Sequence, residues 1–206
     1  MRVVDFLTSM KEVDKNRIGI TAASGGGTQS FLAAALDDRI KLCVPVVMVS
    51  SYFFGGCPCE SGLPIHQFDN EIQSNNAEIA ALCVPRPLLV ISDGHDWTAN
   101  VPNIEFPYLQ KIYGLYGRTD DVENIHLKNE NHDYGFSKRK AMYDFVARHF
   151  DLDVKKVQNK DGNFDESRVT VEPAVEMYVF REKQSYPANA VQGSDLVRKA
   201  LQKQIQ

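Results

Sequence analysis

The sequence is poor in the features that mark several classes of protein. It has four cysteines in 206 residues, too few for a small scaffold held together by disulfides. No apolar run is long enough to span a bilayer, and charges interrupt the N-terminal stretch MRVVDFLTSMKEVD, so we expect neither a membrane span nor a signal peptide. The 23 basic residues form no long run and are outnumbered by 27 acidic ones, which argues against nucleic acid as a partner.

What the sequence does contain is enough apolar material for a folded core. Apolar residues make up 43% of the chain and aromatic residues 10%, as in an ordinary globular domain. Strand-like and helix-like patterns alternate as far as residue 150, which predicts an α/β fold with a doubly wound, mostly parallel sheet. We therefore divide the chain into a core, residues 1–150, and a polar extension, 151–206, with one strand-like segment at 174–180.

The spacing of apolar residues predicts the individual elements. The predicted strands cover 18–22, 42–49, 88–91 and 122–127, and the predicted helices cover 2–10, 28–36, 77–82, a stretch capped by Asn100, and a stretch from Ser137 to 150. Pro45 is a difficulty inside the second strand, because proline cannot donate to a sheet ladder. In the helix after Asn100, the four-residue spacing predicts a buried face formed by Ile104, Tyr108, Ile112 and Tyr116.

The stretch Ile18 to Phe31 reads IGITAASGGGTQSF and places a serine between a strand and a helix. This order is typical of a nucleophile elbow, in which small residues two before and two after the serine let the strand and helix approach. Ala22 and Gly26 hold those two positions around Ser24. The N–H of Gly25 would face a developing oxyanion.

Glycine-rich turns after a strand also bind phosphates or serve as plain tight turns, and both alternatives stay open here. A phosphate-binding loop fits less well, because no Lys-Ser or Lys-Thr pair follows the glycines. Ser30 also stands where the third glycine of a dinucleotide-binding loop would be.

Three polar loops follow the predicted strands and should meet at the carboxyl edge of the sheet. They carry Ser24, then Asp93 or Asp96, then His132, which is the Ser, acid, His order of the α/β-hydrolases. We prefer Asp96 as the acid, because it lies further out in its loop and can reach the histidine. Asp133 is adjacent to His132 in sequence and is poorly placed to lie behind its ring.

A long loop, residues 50–76, is either a functional lid or an irregular segment packed by its own aromatic residues. It contains Cys57 and Cys59, with His66 nearby. A structural zinc site usually shows two close pairs of ligands, so we expect ordinary or disulfide-bonded loop cysteines rather than a metal site. No cofactor is predicted.

Several segments together resemble the acetyl xylan esterase-like branch of the α/β-hydrolase superfamily, related to dienelactone hydrolase and prolyl oligopeptidase-type enzymes. The segments are GITAASGGGTQSF, ALDDRI, GGCPCE, NNAEIAAL, PRPLLVISDGHDWT and NHDYGFSKRKAMYDF. The resemblance implies a serine esterase that removes acyl groups, acetyl first among them, from plant-polysaccharide sugars. By position it implies Ser24 as nucleophile, Asp96 as acid and His132 as base. Family members are often exported by bacteria to the periplasm or beyond, but the sequence itself gives no localisation.

The sequence departs from this family in two respects. Ala22 replaces the family's glycine, and the strands that precede the nucleophile strand in the family have no counterpart in this chain, which looks like the C-terminal half of a hydrolase. We therefore expect an open edge at strand 18–22, so that the chain is poorly soluble, self-associates through this edge or needs an N-terminal fragment. We also expect weak or no esterase activity, since the second oxyanion N–H comes from the preceding half. The alternative functions are a peptidase or thioesterase of the same fold, or an incomplete, non-catalytic interaction module.

Overall fold

The computed structural model describes residues 1–51, 66–67, 73–180 and 186–205. These residues form two compact units, Met1–Phe164 and Asp165–Gln206. The side chains of Cys57, Cys59 and His66, and most of the 50–76 loop, lie outside the described residues.

The first unit is built around a four-stranded parallel sheet, as predicted from the alternation of strands and helices. The strand order is β1-β2-β5-β6, and a separate two-stranded antiparallel pair consists of β3 and β4. The elements are α1 (Arg2–Ser9), β1 (Gly19–Ala23), α2 (Gly25–Leu36), β2 (Leu42–Val46), β3 (His66–Gln67), β4 (Gln73–Ser74), α3 (Asn76–Ala81), β5 (Leu88–Asp93), α4 (Glu105–Leu115), β6 (Val122–Leu127) and α5 (Phe136–Phe150).

Each face of the sheet is covered by helices, which explains why β2 and β5 are continuous apolar runs. One core cluster joins side chains of α2, α3 and α4 to Cys43, Leu88 and Val90. The other joins Phe145 of α5 to the alternate residues of the same two strands. Among the described residues β1 pairs only with β2, so self-association through its outer edge stays a prediction that light scattering can test.

Pro45 lies in β2, a central strand of the described sheet, despite having no N–H to donate. The flanking residues carry the ladder to the next strand: Cys43 N–H donates to Pro87 O at 3.0 Å and Val47 N–H to Ile91 O at 2.8 Å. The sheet therefore lacks the backbone hydrogen bond that the N–H of a residue other than proline would donate at position 45. Every residue of β2 is buried, and this apolar burial favours the strand in spite of the missing donor.

Two sequence-based boundaries are wrong. The strand predicted to reach residue 49 ends at Val46, because Val47 has a positive φ of 46° and turns the chain. The helix predicted to be capped by Asn100 begins at Glu105, since the Asn100 carbonyl accepts bonds from the N–H groups of residues 103 and 104 in a run of turns.

The predicted buried face of α4 is also wrong, by one position along the helix. Glu105, Leu109 and Tyr113 are the buried residues, whereas Ile104, Tyr108 and Tyr116 are exposed; of the predicted face, Ile112 is partly buried and packs against the core. Burial of Glu105 is possible because its Oε1 accepts hydrogen bonds from the N–H and hydroxyl of Ser51, at 2.8 and 2.6 Å.

In the second unit, residues 174–177 form a 3₁₀ turn, so the strand predicted over 174–180 is not present there. A helix, α6, spans Ser194–Ile205. None of the helices in the described ranges combines the length and apolar character that a bilayer crossing requires.

Candidate active site

Ser24 is the single residue between β1 and α2. Its backbone angles are φ 57° and ψ −132°, a left-handed conformation that is uncommon for a residue other than glycine. Its N–H donates to Val46 O at 3.1 Å, which ties the turn to the neighbouring strand. Such a strained conformation persists only where the surrounding structure fixes it, and it is frequent at functional sites. The strand–serine–helix turn expected from the sequence is therefore present.

Close contacts explain the glycines that follow Ser24. A Cβ added to Gly26 would lie 2.6 Å from the Cβ of Ala22, and one added to Gly27 would lie 2.7 Å from the Cβ of Met48. Ala22 is tolerated because Gly26, the residue it faces, has no side chain. Gly25 has open space around it and begins α2, where backbone N–H groups have no partner within the helix.

Asp96 and His132 meet across two loops, although they are distant in sequence. His132 Nδ1 lies 2.7 Å from Asp96 Oδ2. The other oxygen of Asp96 accepts bonds from the N–H and the hydroxyl of Thr98, both at 2.6 Å, and the side chain is only 3% exposed. A carboxylate bonded to Nδ1 favours the tautomer that carries its proton there and leaves a lone pair on Nε2.

The remaining nitrogen of His132 has the environment of a proton acceptor. Nε2 is buried and has no hydrogen-bond partner among the described residues. The Trp97 ring packs against the imidazole with 4.5 Å between ring centroids, which restricts the ring's orientation. A cavity of about 350 Å³ adjoins this pair and is lined by His95, Asp96, Trp97 and Asn100.

The two other carboxylates considered as the acid have different partners. Asp93 is fully buried and faces Lys138, whose Nζ is 3.5 Å from Oδ2. Burial, reinforced by the nearby Asp96 carboxylate, raises the pKa of Asp93. Asp133 accepts bonds from Lys138 Nζ at 2.9 Å and from Gly135 N–H at 2.8 Å, and the bond from Lys138 lowers the pKa of Asp133. Only Asp96, of the three, is hydrogen-bonded to His132 among the described contacts.

Further contacts hold the histidine loop against the sheet. Tyr134 Oη donates to Thr21 Oγ1 at 2.6 Å, and that hydroxyl in turn donates to Val44 O at 2.9 Å. Burial raises the pKa of Tyr134, which keeps its hydroxyl protonated and able to donate. The histidine loop, which follows β6, is thus tied to β1, the strand that leads to Ser24.

The loop after β5, which carries Asp96, and the loop after β6, which carries His132, also touch each other through Gly94 and His95. A Cβ on Gly94 would lie 1.9 Å from Lys128 O, so only glycine allows this approach. Gly94 N–H donates to Leu127 O at 3.3 Å, and His95 Nδ1 bonds Asn131 Oδ1 at 3.0 Å.

Sequence reasoning missed the residues that support Asp96 and His132. Thr98, Tyr134 and Lys138 all stand within two to six positions of Asp96 or His132. Their proximity in sequence was the available signal, but residues so close in sequence to a functional group are usually ordinary turn residues.

In the described part of the chain, no group of three or more His, Cys, Asp or Glu side chains is arranged to hold a metal ion.

Comparisons with known proteins find similarity to esterases and to a protein named as a hydrolase. A family model described as acetyl xylan esterase matches residues 1–54. A protein of Bacillus subtilis (strain 168) named as a hydrolase, YtaP, is 32% identical over 101 residues, which cover 47% of this chain and 33% of that protein.

Solved structures extend the similarity to nearly the whole chain. Methylesterase BT1017 is 49% identical, with a TM-score of 0.83 over 99% of this chain and 46% of its own length. A carbohydrate esterase family 15 glucuronoyl esterase from Caldicellulosiruptor kristjansonii shares the fold at 20% identity, with a TM-score of 0.59 over 84% of this chain and 52% of its own. The chain thus spans about half the length of the solved relatives, 46% of the methylesterase.

The parallel sheet, the turn at Ser24 and these similarities lead to the same assignment: the chain has an α/β-hydrolase fold and resembles the acetyl xylan esterase-like branch of that superfamily.

Proposed function

We propose that this protein is a serine esterase that acts on carbohydrate esters, with Ser24 as nucleophile, His132 as general base and Asp96 as the acid that orients the histidine. The observation that carries the proposal is the 2.7 Å contact between His132 Nδ1 and Asp96 Oδ2, with Nε2 buried and unpartnered among the described residues. The left-handed turn at Ser24 supports the role of that serine.

The proposed reaction has two stages. Ser24 Oγ attacks the carbonyl carbon of the ester while His132 Nε2 takes the hydroxyl proton, and His132 then gives that proton to the departing alcohol. A water molecule next loses a proton to His132 and attacks the acyl-enzyme, which releases the acid and restores Ser24. Asp96 stabilises the imidazolium that forms in each stage, and the N–H of Gly25 donates to the oxyanion.

Two classes of ester are candidates for the substrate. The first candidate is the acetyl ester of a plant-polysaccharide sugar, because the matching family model is described as acetyl xylan esterase. Hydrolysis of such an ester releases acetate. The methyl ester of a carbohydrate acid is the second candidate, because the relative that is 49% identical over 99% of this chain is a methylesterase. The two classes differ in product, since the second releases methanol.

Fluorophosphonate labelling tests the proposed nucleophile and base. We expect the wild-type chain and the exposed-serine control Ser9→Ala to be labelled, and Ser24→Ala and His132→Ala to lose the label, because only an activated serine reacts. Absence of label on the wild type, or label that persists in Ser24→Ala, would contradict the proposal. A labelled chain that cleaves peptide anilides or thioesters instead of acetyl or methyl esters would favour a peptidase or thioesterase.

A further inference from the structure

Lys138 is a buried cation directly beside the loop that carries His132. It lies in the first turn of α5, and its side chain is fully buried. Its ammonium group contacts three groups of the histidine loop: Glu130 Oε2 at 3.2 Å, Asn131 O at 2.7 Å and Asp133 Oδ1 at 2.9 Å. Two of these groups belong to the residues that flank His132 on either side.

The same ammonium group faces the loop that carries the acid. Its Nζ lies 3.5 Å from Asp93 Oδ2, at an ion-pair distance, and both side chains are fully buried. Asp93 is the last residue of β5, immediately before the turn that leads to Asp96. Lys138 therefore contacts carboxylates of both loops.

Helix formation does not account for a lysine at this position. A positive charge near the N-terminus of a helix is unfavourable, because the helix dipole is positive there. Burial also opposes the charge, but the bonds to Asp133 and Glu130 outweigh burial and raise the pKa of Lys138. Three hydrogen bonds use all three of the donors that an ammonium group has. The contacts that stabilise the buried charge of Lys138 are thus those with the histidine loop.

We propose that Lys138 is a positioning residue for His132. By holding the Asn131 carbonyl and the Asp133 carboxylate, it fixes the backbone on both sides of the histidine, and through Asp93 it anchors that segment to the acid loop. The consequence is that His132 Nδ1 is held facing Asp96. This inference rests on the proposed function, since the orientation of His132 matters to catalysis only if His132 is the base.

The imidazole Nδ1 proton of His132 provides a direct readout. In the wild-type chain we expect a downfield proton resonance for this group, because it donates to a carboxylate at 2.7 Å. In Lys138→Met we expect its exchange with water to become about tenfold faster, as for the local loss of a hydrogen bond, while the circular dichroism stays native. Lys140→Met is the matched control, because Lys140 is in the same helix but is half exposed and pairs with Asp144.

A second variant keeps the test decisive if Lys138→Met does not fold. Asp133→Asn removes the negative charge of one partner of the lysine, at a side chain that is 56% exposed, so the core is untouched. We expect the exchange of the His132 Nδ1 proton with water to accelerate in this variant too, but by less than in Lys138→Met. Unchanged exchange in the variant that folds, an equal acceleration in Lys140→Met, or no such resonance in the wild type would each overturn the proposal. Because no substrate is used, failure of Ser24 labelling would be a separate result.

Discussion

The turn that carries Ser24 and the two loops that carry Asp96 and His132 are held in place by different kinds of contact. The turn depends on backbone and small side chains: Ser24 N–H bonds Val46 O, and Gly26 passes close to Ala22. The loops depend on polar side chains and a buried ammonium group. Steric contacts therefore fix the position of Ser24, whereas polar and charged contacts fix Asp96 and His132. Substitutions that change volume should affect the turn, and substitutions that change charge should affect the loops.

The largest effect should come from removing the charge of the acid. Asp96→Asn keeps the volume of the side chain but removes the carboxylate that pairs with His132 Nδ1. The imidazole is then no longer held in the tautomer with its proton on Nδ1, and its charged form is no longer stabilised. We expect the rate at which a fluorophosphonate labels Ser24 to fall by ~10³–10⁴.

Asp38→Asn, on the surface, is the control for this measurement and should label at the wild-type rate. A fall of less than tenfold in Asp96→Asn would indicate that another group orients the histidine.

Removing a neutral partner of the acid should have a smaller effect on the same loop. Thr98→Val deletes the hydroxyl that donates to Asp96 Oδ1 and that accepts from Asp93 N–H at 3.0 Å. We expect a loss of about 1.5–3 kcal/mol in the free energy of unfolding, as for hydrogen bonds to charged groups. Chemical denaturation measures this free energy. Thr98→Ser keeps the hydroxyl and should therefore be nearly as stable as the wild type.

The turn should respond to volume and not to charge. In Gly26→Ala the new Cβ would meet the Cβ of Ala22 at 2.6 Å, so the strand and helix must separate, at about 1–3 kcal/mol of unfolding free energy. The double variant Ala22→Gly/Gly26→Ala should restore stability and labelling.

Gly25→Ala is the matched control, because nothing lies within 4 Å of the added Cβ. If the double variant were no more stable than Gly26→Ala alone, the contact with Ala22 would not be the cause of the loss.

The smallest effect should come from the contact that joins the two regions. Tyr134→Phe removes the hydroxyl that donates to Thr21 Oγ1 at 2.6 Å, and we expect about 0.5–1.5 kcal/mol of destabilisation in a melt followed by circular dichroism. Since Thr21 Oγ1 still donates to Val44 O, its own hydrogen remains satisfied. A neutral result would mean that the tyrosine contributes only packing.

The sequence was informative where structure depends on near neighbours. The turn at Ser24 and the bounds of β6 at Val122–Leu127 follow from local pattern alone, and the fold class follows from the alternation of elements. The order of Ser24, Asp96 and His132 in three successive loops likewise suggested that they share a sheet edge.

The sequence was misleading where burial depends on a distant partner. Glu105 can be buried because its carboxylate accepts hydrogen bonds from Ser51, so the buried face of α4 could not be predicted from the spacing of apolar residues. Lys138 looks like a surface residue in the charged run SKRK, and only the folded loops give it carboxylate partners. Residues 174–177 have an apolar, strand-like composition but no described neighbour strand to pair with, and form a 3₁₀ turn.

The close approach of Gly94 to Lys128 O has a consequence for motion. Because the backbones of the acid loop and the base loop touch there, a displacement of one loop carries the other with it. Asp96 and His132 are then expected to stay paired when either loop is displaced.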